Sequence, residues 1–136
     1  MRLVLDTNIY ISHLLAPNSA PDLVVQHAFR NHEVLMSAAL LAELERTLSR
    51  DKFDVYVSRA DRRKFLHKLY KNTKPTAIIQ HISICRDPND NAVLELAVNG
   101  EAEIIISGDK DLLVLHPFKG ISILKSADFL SHQKLS

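Results

Sequence analysis

Short apolar runs alternate with stretches of helical periodicity along most of the chain. Four of the runs consist of large aliphatic residues with little polar interruption, which is typical of strands that are covered on both faces. A further segment, residues 78–85, alternates between apolar and polar positions and also predicts a strand. The predicted strands cover residues 3–5, 34–36, 78–85, 104–106 and 121–124.

Helices are predicted between these strands. Ser37 precedes a leucine stripe as a helix cap, Ser58 followed by Asp61 resembles a capping box, and Pro21 is placed as a first helical residue. Gly100 ends the helix that precedes it. The predicted helices cover residues 9–15, 21–30, 38–49, 58–71 and 92–98, with a short one beginning at residue 126.

This order of elements predicts an α/β fold. Strands that alternate with helices and lack polar positions form a mostly parallel sheet with helices on both faces. The chain has 136 residues, of which 46% are hydrophobic and 24% charged, and these proportions predict one globular domain spanning residues 1–136. The sequence contains no linker or internal repeat that would divide it.

Residue content excludes several classes of protein. The single cysteine, Cys85, permits no internal disulfide and no cysteine-rich zinc site, so a cytoplasmic location is expected. No apolar run reaches the ~20 residues of a membrane span. Because glycine occurs only at positions 100, 108 and 120, the chain also lacks the glycine-rich loops that bind ATP or NAD.

The net charge of +1 conceals a segregation of charge along the chain. Residues 46–74 contain ten basic and three acidic side chains, an excess of +7, whereas residues 1–45 and 75–136 each carry −3. A basic segment of this kind is compatible with a surface for a polyanion or with an ordinary solvated helix face. Charge alone favours the solvated face.

Acidic residues follow the predicted strands. Asp6 comes directly after the first strand, Asp87 and Asp90 follow the third, and Asp109 and Asp111 follow the fourth. The carboxyl ends of parallel strands share one edge of the sheet, where ligands of such folds bind. Each acid taken alone is explained equally well as a helix cap or a turn residue.

Two further acids, Glu43 and Glu45, lie in the helix after the second strand, and helical periodicity does not separate them. Several converging carboxylates repel one another unless a cation neutralises them. Oxygen donors favour Mg²⁺ or Mn²⁺, and the seven histidines show no metal-binding spacing. Such ions on α/β scaffolds typically serve phosphodiester hydrolysis, and the basic segment is suited to hold nucleic acid.

Four segments of the chain form an ordered set: Leu5-Asp6-Thr7-Asn8, Ser37 through Leu44, Arg86 through Ala97, and Ser107 through Leu113. They resemble the motifs of the PIN-domain family of metal-dependent ribonucleases. Their order and spacing extend the resemblance over about residues 3–130. It implies a single three-layer domain with a central five-stranded parallel sheet, and it is strongest to prokaryotic members that are toxins of toxin–antitoxin pairs.

The resemblance also implies roles for individual residues. The positions that match the catalytic and metal-binding acids are Asp6, Glu43, Asp90 and Asp109, with Asp111 as a further metal ligand and Asp87 as a supporting acid. The matching polar positions are Thr7, Asn8 and Ser107, the last in place of a more usual threonine. The basic segment adds the expected RNA-binding residues Arg46, Arg50, Arg62, Arg63 and Lys64.

The resulting hypothesis is a Mg²⁺- or Mn²⁺-dependent endoribonuclease that leaves 5′-phosphate and 3′-hydroxyl ends. Its expected partners are RNA, an antitoxin protein and a second copy of the chain, without a membrane. The alternative is a non-catalytic PIN-like module that binds RNA or protein and whose acids are structural.

Overall fold

The computed structural model describes residues 1–134, the last of them by its backbone alone. The strands described are β1 (Arg2–Leu5), β2 (Glu33–Met36), β3 (Thr73–Pro75), β4 (Ile104–Ile106) and β5 (Ser122–Leu124). The α-helices described are α1 (Thr7–Leu15), α2 (Ala20–Asn31), α3 (Ala38–Leu48), α4 (Arg59–Asn72), α5 (Pro88–Asn99), α6 (Lys110–Leu113) and α7 (Ser126–Lys134). A 3₁₀ turn, Asp51–Phe53, lies between α3 and α4.

The strands form one sheet in the order β3-β2-β1-β4-β5, and every pair is parallel. Successive side chains of a strand point to opposite faces, and Leu3, Val4 and Leu5 of the central strand β1 are all fully buried. Helices therefore cover both faces, as the uninterrupted apolar runs predict. The expected α/β fold with a five-stranded parallel sheet is confirmed.

The third strand lies earlier in the chain than expected. The prediction of a strand over residues 78–85 is wrong, and β3 is instead Thr73–Pro75 at one edge of the sheet, where Thr73 pairs with Val34 of β2. A proline is tolerated there because an edge strand needs backbone hydrogen bonds on one side only.

Residues 78–85 are irregular because side chains of α5 bind their backbone. Asn99 Oδ1 accepts hydrogen bonds from the amides of residues 79–80 at 3.0 and 2.9 Å. Asn91 Oδ1 accepts from the amides of residues 84–85 at 3.1 and 2.9 Å. Amides that are satisfied in this way need no neighbouring strand, so an alternating segment lies outside the sheet.

Three helices begin next to acidic residues at the carboxyl edge of the sheet. α1 begins directly after Asp6 and α6 directly after Asp109. α5 begins at Pro88 instead of residue 92, with Asp87 as its N-cap. The four-residue helix α6 is too short to produce a periodic signal in the sequence.

Two further helices, α3 and α4, have the caps that the sequence predicts. Ser37 Oγ accepts a hydrogen bond from the Leu40 amide at 3.2 Å, and Ser58 Oγ accepts one from the Asp61 amide at 3.0 Å. Among residues 1–134, no helix combines the length and the apolar character needed to cross a lipid bilayer.

Candidate metal centre

Asp6 is held at the end of β1 by the neighbouring strand. Leu5 pairs with Ile106 in the parallel register, so the residues that follow them, Asp6 and Ser107, lie side by side. Ser107 Oγ donates a hydrogen bond of 2.7 Å to Asp6 Oδ2, and the Asp6 amide donates to the Ile106 carbonyl at 3.0 Å. Both side chains are buried, so the Asp6 carboxylate has a defined orientation.

Thr7 connects Asp6 to an acid of α3. The buried Thr7 Oγ1 lies 3.1 Å from Glu43 Oε1 and 3.5 Å from Asp6 Oδ1. Glu43 is half-buried here, whereas Glu45 is exposed and lines a groove beside Arg63. The contact with Thr7 therefore distinguishes the two glutamates, which helical periodicity does not.

Asp90, Asp109 and Asp111 contribute one carboxylate oxygen each to a group in which all three atoms lie within 4.8 Å of one another. Asp90 is buried in the first turn of α5, and Asp111 is exposed in the first turn of α6. The group offers oxygen donors only, which is the ligand chemistry of Mg²⁺ and Mn²⁺. These residues fit a hard divalent cation.

Helix capping explains only part of this arrangement. Asp87 and Asp109 each accept a hydrogen bond of 2.9 Å from the backbone amide two residues ahead, as N-caps of α5 and α6. Asp90 lies inside α5, and Asp6 precedes α1 without a capping hydrogen bond. The positions of Asp6 and Asp90 therefore need another explanation.

The Asp90 carboxyl group is strongly perturbed. Burial raises the pKa of Asp90 from its ordinary value of 3.8 to about 7, and the adjacent Asp109 adds to the rise through a hydrogen bond and its charge. Neighbouring carboxylates resist ionising together, so Asp90 keeps its proton below about pH 7 in the metal-free protein. A divalent cation would take the place of that proton.

The same repulsion extends to Asp6 and Glu43. Burial raises the pKa of Asp6 against the Ser107 hydrogen bond, and the charge of Asp109 raises it further. Burial also raises the pKa of Glu43, and the charge of Asp6 adds to the rise. The following residues are called the acidic cluster below: Asp6, Glu43, Asp90, Asp109 and Asp111.

The other predicted site residues lie at different distances from this cluster. Asp87 is close enough for its charge to raise the pKa of both Glu43 and Asp90. Asn8 is exposed in the first turn of α1. The exposed members of the predicted RNA-binding set are Arg46, Arg50, Arg63 and Lys64.

Arg62 does not face solvent, unlike the other members of the predicted RNA-binding set. It is 4% exposed, and its Nη1 donates to the Leu48 carbonyl at 2.8 Å. Its Nη2 donates to the Val57 carbonyl at 2.9 Å and to the Asp54 carboxylate. The guanidinium group is engaged within the protein, because it satisfies the carbonyls at the end of α3 and in the loop before α4.

Arg86 contacts the acidic cluster and lies outside the set of residues predicted from the sequence. Its Nη2 lies 3.1 Å from both carboxylate oxygens of Asp111. The signal that could have revealed it is its place directly before Asp87, as a base in an otherwise acidic segment.

The pKa of Asp90 predicts how stability depends on pH. The folded metal-free protein keeps the Asp90 proton between pH 3.8 and about 7, so raising the pH through this window lowers the free energy of unfolding. Asp90→Asn removes this titration, and we expect it to stabilise the metal-free protein by about 2 to 4 kcal/mol at pH 7.5 and hardly at all at pH 4.

Chemical denaturation in EDTA at the two pH values measures this difference. Asp128→Asn, at an exposed position of α7, serves as the control and should match the wild type at both pH values. An Asp90→Asn variant that is less stable than the wild type at pH 7.5 would show that the carboxylate supports the fold.

Two solved structures share this fold. The structure of VapBC2 from Rickettsia felis, bound to a DNA fragment from their promoter, matches with a TM-score of 0.63 and 14% identity, over 92% of this chain and 98% of that chain. PAE2754 from Pyrobaculum aerophilum also matches with a TM-score of 0.63, at 12% identity, over 99% of this chain and 90% of that chain.

Comparison of the sequence identifies a relative and a family, in addition to the shared fold. The uncharacterized protein MJ1680 of Methanocaldococcus jannaschii is 32% identical over 119 residues, which are 85% of this chain and 75% of that protein. The family model described as the PIN domain matches residues 2–111, the span that carries all five members of the acidic cluster. The chain belongs to the PIN domain family.

Proposed function

We propose that the protein is a Mg²⁺- or Mn²⁺-dependent endoribonuclease that acts as the toxin of a toxin–antitoxin pair. The observation that carries the proposal is the acidic cluster, in which carboxyl groups from four parts of the chain converge at one edge of the sheet, where burial and neighbouring negative charge raise the pKa of Asp6, Glu43 and Asp90. Such repulsion costs stability and is typical of functional sites. Membership of the PIN domain family, whose members are generally nucleases, supports the same function.

The acidic cluster is the proposed ligand set of the cation. When bound, a divalent ion neutralises charge on the phosphodiester and lowers the pKa of an attacking water molecule. Asp90 is protonated below about pH 7, because its pKa is about 7. Cation binding must displace this proton, so affinity for the cation should weaken as the pH falls.

Hydroxyl groups orient Asp6 and Glu43. Ser107 donates to Asp6, and Thr7 lies between Asp6 and Glu43. Both hydroxyl-bearing residues are buried, so they hold the carboxylates in place before any ligand arrives. Preorganisation of this kind lowers the cost of assembling a reactive geometry.

The proposed partners are RNA, an antitoxin protein and a second copy of the chain, and the proposed location is the cytoplasm. The exposed bases Arg46, Arg50, Arg63 and Lys64 are suited to contact the RNA backbone, because such contacts need accessible positive charge. The similarity in fold to VapBC2 supports the antitoxin.

Cleavage of a long single-stranded RNA tests the proposal. We expect cleavage in Mn²⁺ or Mg²⁺, none in EDTA, and products that carry 5′-phosphate ends. Glu43→Gln should lower the rate of cleavage about tenfold or more. Removal of a metal ligand should weaken cation binding at least as much as removal of a residue that only orients a ligand. Glu45→Gln, on the same helix but exposed, is the matched control and should keep the wild-type rate.

Two results would contradict the proposal. Cleavage that persists in EDTA would exclude the cation from the reaction. Intact RNA, together with no Mn²⁺ binding in the millimolar range, would identify the protein as a non-catalytic PIN-like module with structural acids.

A further inference from the structure

The backbone on both sides of residue 86 is anchored, although the side chain of Arg86 is 88% exposed. Asn91 Oδ1 accepts hydrogen bonds from the amides of residues 84–85, and Asp87 caps the first turn of α5. The fold therefore places the base at the rim of the acidic cluster and leaves its guanidinium group accessible.

A single nitrogen of Arg86 makes the whole contact with Asp111. Nη2 lies 3.1 Å from both carboxylate oxygens, and within residues 1–134 it is the one Arg86 side-chain atom that forms hydrogen bonds. A guanidinium group binds carboxylate or phosphate best through two nitrogens at once. Because this pair is exposed and lacks that geometry, it is weak and easily exchanged.

The negative charge of the acidic cluster disfavours the binding of a phosphodiester as well as the folded state. A phosphodiester is repelled by carboxylates unless basic groups lie along its path. Of the ion pairs formed by residues 1–134, the one that includes a member of the cluster is the pair between Arg86 and Asp111. The other exposed bases proposed to contact RNA lie on α3, on α4 and in the connection between them.

We propose that Arg86 is an RNA-binding residue that changes partner when substrate arrives. Without RNA it pairs with Asp111 and reduces repulsion within the cluster. With RNA, its guanidinium group binds a phosphate beside the scissile one, and Asp111 becomes available to the cation. This inference rests on the function proposed above and couples substrate binding to cation binding.

Two binding measurements on Arg86→Gln test the inference. We expect Mn²⁺ to bind the variant as tightly as the wild type, or up to about threefold more tightly, because a competing positive charge is removed. Affinity for a short single-stranded RNA in Mn²⁺ should fall about tenfold, and the slope of its salt dependence should decrease by about one. The RNA measurement uses the Asp6→Asn background for both proteins, so that the RNA stays intact.

Arg2→Gln is the matched control. Arg2 is a half-buried arginine that also pairs with an acid, Glu101, but it lies at the start of β1, at the amino ends of the strands and away from the acidic cluster. It should leave Mn²⁺ affinity, RNA affinity and the salt slope at wild-type values. Thermal unfolding of both variants should match the wild type.

Wild-type RNA affinity in Arg86→Gln would overturn the inference, and so would weakened Mn²⁺ binding, since Arg86 would then support the cluster and not the substrate. Failure of the proposed function is distinguishable from these results. A wild-type protein that binds Mn²⁺ and RNA without cleaving contradicts the nuclease alone, because neither binding measurement depends on turnover.

Discussion

Asp6→Asn is expected to lower the rate of RNA cleavage about 100-fold or more. Asparagine keeps the size of the side chain and accepts the hydrogen bond from Ser107, but it removes the negative charge that the cation requires. Because burial raises the pKa of Asp6, the ionised carboxylate is costly in the metal-free protein. The melting temperature in EDTA should therefore not fall.

Initial rates of cleavage in Mn²⁺ and melting temperatures in EDTA together test this expectation. Asp128→Asn, the exposed aspartate of α7, should behave as the wild type in both. A wild-type rate in Asp6→Asn would remove Asp6 from the reaction. A large drop in melting temperature would instead assign its carboxylate to the fold.

Arg62→Met is expected to lower the free energy of unfolding by about 3 kcal/mol, because it removes a buried charged donor and leaves the carbonyls of Leu48 and Val57 without it. Methionine retains much of the apolar stem, so the loss reports on the guanidinium group. That group donates to the carbonyls of Leu48 and Val57 and to Asp54, and it connects the end of α3 to the loop before α4.

Arg63→Met is the matched control, since Arg63 is the exposed neighbour in the same helix. Its stability should stay within about 0.5 kcal/mol of the wild type, as is usual for surface substitutions. Urea denaturation measures both variants. Equal stabilities would show that the buried contacts of Arg62 contribute little to the free energy of unfolding.

The position of Arg62 changes the interpretation of the basic segment. The excess of +7 over residues 46–74 includes this buried arginine and also Arg59, whose Nη2 lies 3.1 Å from Asp51. Part of the positive charge therefore forms ion pairs and hydrogen bonds within the connection between α3 and α4. The remainder is exposed and is the part available to a polyanion.

The third strand shows where sequence patterns fail. Alternation over residues 78–85 indicates a segment with one buried side, and it does not reveal whether the backbone bonds a strand or the side chains of Asn91 and Asn99. β3 has only three residues, of which two are exposed and one is a proline. It therefore has no recognisable strand signal in the sequence. Its pairing with β2 depends on the tertiary structure.

The sequence alone determined the α/β class, the parallel sheet and the placement of acids after its strands. These properties are local: apolar runs, helix caps and the order of elements depend on neighbouring residues. The tertiary structure decided which acids meet, because Thr7 and Glu43 are separated by 36 residues, and Asp6 and Ser107 by 101. It also buried Arg62 and left Arg63 exposed, since helix packing and not charge selects the side that faces inward.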